Sequence, residues 1–168
     1  MTETLIAANK LTKTFGEGET EIHALRNVNL EIKRGDFAAI VGPSGSGKTT
    51  LPNILCGLDK LSSGDIQVSG RSLKEMNGSE LSRFRLEHIG LVFQAYNLIP
   101  VLTVLENIEY VMLLQKVPAE ERRKRVQNFL AKLGLEGKED RFPAELSGGQ
   151  QQRVAIARAM VSHPDIIL

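Results

Sequence analysis

The sequence predicts an α/β domain organised around a phosphate-binding loop, and three observations predict it. Gly42-Pro43-Ser44-Gly45-Ser46-Gly47-Lys48-Thr49 fills every required position of the pattern G-x-x-x-x-G-K-[ST]. The short apolar run Phe37-Ala38-Ala39-Ile40-Val41 before it has a strand's character, and the residues from Leu51 to Leu58 continue as an apolar helix. Strand, loop, helix is the order such a loop requires. Its glycines let successive main-chain N–H groups turn inward around a polyphosphate, and the helix that follows presents its positive end to the same anion. Lys48 is then expected to reach the terminal phosphates, and the Thr49 hydroxyl to ligate Mg²⁺. The other reading, a glycine-rich turn without a ligand, needs none of these side chains.

The totals agree with one domain. The 168 residues are 42% hydrophobic and 24% charged, which suits a globular chain with one sizeable core. A formal net charge of +1 gives no overall field for DNA or an anionic membrane, so no nucleic-acid partner is predicted. The single Cys56 has no internal disulfide partner and reads as a small buried residue in a reducing compartment. No apolar run approaches the roughly 18 residues of a membrane span. The Met1-Thr2-Glu3-Thr4 start lacks a basic leader, so the expectation is a cytoplasmic, non-spanning chain.

Taking the chain in order, Phe15-Gly16-Glu17-Gly18-Glu19 reads as a turn. Ile22, Ala24, Val28, Leu30 and Ile32 then recur at even spacings, the period of a half-buried strand. Arg34-Gly35-Asp36 breaks that strand before the phosphate loop. After Gly57, Leu61-Ser62-Ser63-Gly64-Asp65 is turn-rich, and Ile66-Gln67-Val68 with Ser69-Gly70 reads as a short strand closed by a turn. Asn77 with Glu80 suits a helix start running towards Glu87, and Ile89-Gly90-Leu91-Val92-Phe93 is strand-like up to Gln94.

From Gln94 the character becomes helical. Thr103 with Glu106 has capping-box spacing and opens a helix carrying Ile108, Val111 and Met112. A second helix has Pro118 at its first position, Glu120 and Glu121 at its positive end, and Val126, Phe129, Leu130 and Leu133 on one face; Gly134 stops it. Its basic run Arg122-Arg123-Lys124-Arg125 reads mainly as a solvated face. Leu146-Ser147-Gly148-Gly149-Gln150 then precedes a helix from Gln151 to Met160 that ends near His163-Pro164. Ser147 and Gln150 also have capping-box spacing, so a plain helix start accounts for them; two glycines after a serine equally allow very close approach of something anionic.

The phosphate loop, the glutamine after a strand at Gln94, and Leu146-Ser147-Gly148-Gly149-Gln150-Gln151-Gln152-Arg153 together resemble an ATP-binding cassette (ABC) ATPase over the whole chain. Gly57-Leu58-Asp59, and Phe93-Gln94 followed by Tyr96-Asn97-Leu98-Ile99-Pro100, look most like the branch of lipoprotein-releasing and macrolide-exporting ATPases. The resemblance implies a P-loop NTPase core with an antiparallel β subdomain and an α-helical signature subdomain. Residues 1–94 with 162–168 would form the nucleotide-binding core and β subdomain, and 95–161 the helical part. ATP and Mg²⁺ are the implied cofactors. Phe15 stacks on adenine, where a flat apolar ring is needed. Gly42 to Thr50 hold the phosphates, with Thr50 beside Thr49 at the helix start. Lys48 and Gln94 serve catalysis, and Thr49 and Gln94 the metal. Ser147, Gly148, Gly149 and Gln150 close over the γ-phosphate held by a second copy. The implied partners are that second ABC ATPase domain, arranged head to tail, and an integral membrane permease docked around Gln94 to Pro100 and the helices up to Leu133. The chain would then sit peripherally on the inner face of the cell membrane.

The sequence departs from the family at two places. Ile166-Ile167-Leu168 resembles the opening of the strand that should carry, just beyond it, a Mg²⁺-binding Asp and a catalytic Glu; neither follows within the 168 residues, nor does the switch His. None of His23, His88 or His163 stands in that switch position. Unassisted water predicts turnover near background for these residues alone, which leaves a non-hydrolytic ATP-binding module or a gene remnant as the alternative to a transporter ATPase. A soluble ABC ATPase of DNA repair or translation fits less well, because no inserted module is visible. Pro52 is the second departure: it removes a backbone donor from the helix after the loop and presses on the Lys48 carbonyl, so weakened ATP binding is expected.

Overall fold

Two long strands make the first layer. In the computed structural model, which describes residues 3–168, β1 (Thr4–Phe15) and β2 (Ile22–Lys33) pair as an antiparallel hairpin across the tight turn at Gly16–Glu21. β3 (Ser63–Val68) pairs with the other edge of β1, and β4 (Arg71–Ser72) with β3, giving an all-antiparallel sheet of order β2-β1-β3-β4. Ile6 lies opposite Val68 in that sheet and both side chains are buried.

Two of the hairpin's four register shifts lie side by side near its middle and compensate each other. Between the pairs Ala8↔Leu30 and Leu11↔Val28, β1 advances one residue more than β2; between Leu11↔Val28 and Lys13↔Leu25, the excess is on β2. Lys10 (φ 47°) and Asn27 (φ 47°) take up the bends. Their amides bond to side chains instead of the ladder: Lys10 N–H to Asn29 Oδ1 at 2.9 Å and Asn27 N–H to the Thr12 hydroxyl at 3.1 Å. The bulge also shifts the strand's phase, so Leu25 is buried where strict alternation from Val28 selects Ala24.

The expected strand before the phosphate loop is not formed. Residues 37–41 lie outside any ladder among the described residues, and the Phe37 side chain is 100% exposed and that of Val41 89%. An apolar strand of this kind holds its shape only when neighbours pair both its edges and cover both faces; here no described strand pairs with it. The helix after the loop, α1 (Thr50–Leu55), does form and contacts β2, burying Leu51, Ile54 and Leu55. It ends earlier than its apolar pattern suggests, at Cys56 and the left-handed Gly57 (φ 67°), and Leu58 is exposed. Cys56 itself is buried, as its sequence context predicts.

The chain divides into two compact units, Met1–Ser82 and Arg83–Leu168. Helix α2 (Gly78–His88) begins in the first and ends in the second; Asn77 caps it, accepting from the Ser79 and Glu80 amides while Glu80 returns the bond to the Asn77 amide. In the second unit β5 (Ile89–Gly90) runs parallel to β6 (Ile166–Ile167), and the Val92 amide extends the ladder to the Leu168 carbonyl at 2.8 Å. His88 Nδ1 meets Asp165 Oδ2 at 2.7 Å beside this ladder.

Three helices pack on one another, α3 (Val104–Leu114), α4 (Ala119–Lys132) and α5 (Gly148–Met160), and α5 also packs on β5. Their core holds Ile108, Met112, Val126, Leu130, Val154 and Val161, all fully buried; each such side chain contributes about 1.5–3 kcal/mol of burial. Alanines 155, 157 and 159 are buried on α5 and let it come close to its neighbours. At β5 the approach is so tight that a Cβ on Gly90 would stand 2.3 Å from the Ala159 carbonyl oxygen. Pro118 occupies the N-cap of α4, one residue before the first helical position expected for it. In the basic run, Arg122 is pinned to Glu109 at 3.0 Å and to the Val117 carbonyl at 2.7 Å, with both partners of the ion pair largely buried, and Arg125 pairs with Glu121. Arg123 and Lys124 keep the solvated character expected of the run. No helix among the described residues is long and apolar enough to cross a membrane.

Candidate functional site

The phosphate loop, Gly42 to Thr49, lies in the first unit and leads directly into α1. Gly45 (φ 78°) and Gly47 (φ 85°) both take left-handed backbone, which supplies the turns that an L side chain resists. Gly47 is glycine for a second reason: a Cβ there would stand 2.5 Å from the Ala24 carbonyl oxygen and 2.8 Å from a Leu25 methyl. The loop is therefore seated on β2.

Among the described residues, the amides of Gly45, Gly47, Lys48, Thr49 and Thr50 take no protein acceptor, while Ser46 N–H closes a turn on the Pro43 carbonyl at 3.3 Å. Lys48 Nζ donates to the carbonyls of Gly42 at 2.8 Å and Pro43 at 2.6 Å. An ammonium has three donors; two close the loop and the third is available to an anion at its mouth. The Thr49 side chain makes no capping bond, so its hydroxyl is not spent on the helix. A run of unspent amides, a lysine with a donor in reserve and an uncommitted hydroxyl are the groups a nucleoside triphosphate with Mg²⁺ requires, and the residues fit that pair.

Phe15 ends β1 opposite Ile22. Lys13 is paired with Leu25, the residue against which Gly47 packs, and Phe15 stands two residues further along the same strand, about 7 Å away. The hairpin thus brings the expected adenine-stacking ring to the neighbourhood of the phosphate loop. The ring is 42% exposed and the Lys13 ammonium sits 4.6 Å from its centroid. Sequence reasoning passed over Lys13, although residues two apart on a strand share a face.

The proline at 52 leaves its mark on the junction between loop and helix. Leu51 N–H bonds to the Gly47 carbonyl at 3.0 Å and Asn53 N–H to the Thr49 carbonyl at 3.3 Å. The rung between them, from residue 52 to the Lys48 carbonyl, is the one proline cannot make.

Gln94 and the signature residues lie in the second unit. Gln94 is exposed in a turn that follows the β5 ladder. Ser147 is the N-cap of α5 in a full capping box: its hydroxyl accepts from the Gln150 amide at 3.4 Å and Gln150 Oε1 accepts from the Ser147 amide at 2.9 Å. Gly148 and Gly149 make up the exposed first turn, and a Cβ on either would meet nothing within 4 Å. The segment before them is stiff. Pro143–Glu145 forms a 3-10 turn, Gln151 Nε2 donates to the carbonyls of Pro143 and Leu146, and Glu145 accepts from the Phe142 amide and from Arg141. These two donors, the amide first, hold the Glu145 carboxyl below its ordinary range. Two further polar side chains, Asn107 and Arg158, hold the segment after Gln94; their contacts span too many residues, or are too deeply buried, to show in local spacing.

The chain has relatives among known proteins. Residues 25–168 match the family described as ABC transporter. The chain is 47% identical over 171 residues to the uncharacterized ABC transporter ATP-binding protein MJ0796 of Methanocaldococcus jannaschii, covering 98% of this chain and 72% of that protein. Over 166 residues it is 41% identical to the lipoprotein-releasing system ATP-binding protein LolD of Chromohalobacter salexigens, covering 99% of this chain and 70% of the relative. It is also 45% identical to the macrolide export ATP-binding/permease protein MacB of Mannheimia succiniciproducens, where it covers 98% of its own length but spans only 26% of the relative. Among solved structures, the dimeric post-hydrolysis state of the ATP-binding cassette MJ0796 bound to ADP and Pi superimposes with a TM-score of 0.89 at 46% identity, covering 97% of this chain and 72% of that one.

Proposed function

The chain belongs to the ATP-binding domains of the ABC transporter family, and from that premise we propose that it binds Mg²⁺·ATP as the nucleotide-binding part of a transporter. The observation that carries this reading is the phosphate loop, with its unspent amides and the Lys48 ammonium held across its mouth. Gly42 to Thr50 take the phosphates, Phe15 the adenine, and Thr49 with Gln94 the metal. ATP binding draws two copies together head to tail, with Ser147, Gly148, Gly149 and Gln150 of each over the nucleotide of the other. Hydrolysis, with Lys48 and Gln94 as catalytic residues, then reopens the pair. A membrane permease docked around Gln94 to Pro100 converts this cycle into extraction or export, of the kind named for the lipoprotein-releasing and macrolide-exporting relatives. The work is done at the cytoplasmic face of the membrane. The division into a core of 1–94 with 162–168 and a helical part of 95–161 belongs to the same proposal.

Titration with Mg²⁺·ATP tests the reading, with a dissociation constant expected roughly within the 1 μM–1 mM span usual for enzyme substrates. Absence of any binding at millimolar nucleotide refutes it.

A further inference from the structure

The segment after Gln94 is held at two points by side chains of two helices in its own unit. Asn107, wholly buried on α3, accepts the Ile99 amide on Oδ1 at 2.8 Å and donates from Nδ2 to the carbonyls of Ile99, Leu102 and Thr103 at 3.1, 2.9 and 3.0 Å. Nearer to Gln94, Arg158 on α5 donates from Nη1 to the Asn97 carbonyl and from Nη2 to the Tyr96 carbonyl, both at 2.7 Å. Tyr96 (φ 61°) and Asn97 (φ 46°) are both left-handed, a conformation that costs an L residue about 1–2 kcal/mol. Two in succession need an external hold. Two consecutive carbonyls converging on one planar guanidinium supply it, with charge-assisted bonds of the short, strong kind.

We propose that Arg158 is a positioning residue for Gln94: its guanidinium fixes the left-handed pair Tyr96–Asn97 and thereby sets where the Gln94 amide is presented to the metal and water of a bound nucleotide. This rests on the function proposed above and adds a mechanical route to it. Arg158 and Ser147 are carried by the same helix, about 16 Å apart along its axis. When the signature end of α5 is pressed onto a second copy's nucleotide, a rigid helix carries that displacement to the Gln94 segment through Arg158. Burial of the guanidinium, which lowers its pKa by desolvation without discharging it, fits a group whose task is to hold carbonyls.

The test uses Arg158→Lys, which keeps charge and helix propensity but replaces the fork by a point ammonium, with Arg158→Ala as the stronger lesion. Hydrogen exchange at the Tyr96 and Asn97 amides, which now bond to the Phe93 and Ala95 carbonyls, is expected to accelerate roughly tenfold in Arg158→Lys as the local opening energy falls. The factor by which Mg²⁺ tightens ATP binding should drop about threefold or more, with Mg²⁺-free affinity unchanged, because only the metal-bound complex engages Gln94. A merely structural arginine would lower both affinities together, and that result overturns the proposal, as does unchanged exchange at Tyr96 and Asn97. Should the parent chain bind no nucleotide, the proposed function falls, while the exchange rates still decide whether Arg158 holds the segment.

Discussion

The Lys48 ammonium lies 2.6 Å from the Pro43 carbonyl oxygen, so the residue that should face a phosphate also closes the loop that would hold it. The second bond, to Gly42, leaves one of the ammonium's three donors in reserve. Lys48→Ala removes the anchor and the phosphate contact at once. A charge-assisted bond of this sort contributes about 1.5–3 kcal/mol, so ATP affinity should fall by roughly one to two decades. Isothermal titration of the variant measures this, and an affinity equal to the parent's would show that the lysine holds only its own loop.

Pro52 interrupts the ladder at the junction where that loop becomes a helix. The flanking rungs, Leu51 to Gly47 and Asn53 to Thr49, are present, so the missing rung is confined to the Lys48 carbonyl. Pro52→Leu restores a donor there and an apolar side chain beside buried Leu51 and Leu55. Interior proline costs a helix about 3 kcal/mol, and a first-turn position softens that figure. The expected result is a higher melting temperature and nucleotide binding tightened several-fold; equal affinities in parent and variant would dissociate the proline from the site.

Asn107 supplies the stability side of the same machinery. Asn107→Ala leaves the Ile99 amide and the Leu102 carbonyl without the partner Asn107 gives them, while the Ile99 and Thr103 carbonyls keep bonds from the Leu102 and Asn107 amides, and each buried unsatisfied group costs about 1–3 kcal/mol before relaxation. A loss of about 3 kcal/mol is expected once water reaches part of the pocket. Asn107→Asp should be worse, because it keeps the acceptor for Ile99 but turns a carboxylate towards three carbonyls. Urea denaturation followed by circular dichroism compares the two, and an aspartate variant as stable as the parent would show that the side chain does not hold the loop.

What was legible in the residues was what depends on near neighbours. The capping boxes at Thr103 and Ser147, the stop at Gly134 and the loop from Gly42 to Thr49 each complete themselves within a few positions, and they formed. The strand expected at Phe37–Val41 depended on partners far away in the chain, and it lies outside any ladder. β1 was not anticipated at all: adjacent Leu5 and Ile6 are both buried and Lys10 bends the strand, so its apolar residues never alternate cleanly. The bulge at Asn27 likewise moved the buried position from Ala24 to Leu25. At the site, Arg158 touches Tyr96 across 62 positions of chain, a pairing that no spacing rule marks.

Gly148 and Gly149 give the sharpest test of assembly because the fold makes no demand for them. Neither is left-handed, and a methyl group on either would touch nothing within 4 Å. Glycine in a helix costs about 1 kcal/mol relative to alanine, so Gly149→Ala should melt no lower than the parent. In the proposed function, what would exclude a side chain there is a second copy's triphosphate approaching from outside. Gly149→Ala is therefore expected to bind Mg²⁺·ATP as a monomer with unchanged affinity while losing ATP-dependent dimerisation, the added methyl standing between the α5 amides and the γ-phosphate. Sedimentation velocity with a slowly hydrolysed ATP analogue separates the two properties. A variant that dimerises as readily as the parent would place the nucleotide of the second copy somewhere other than over these glycines.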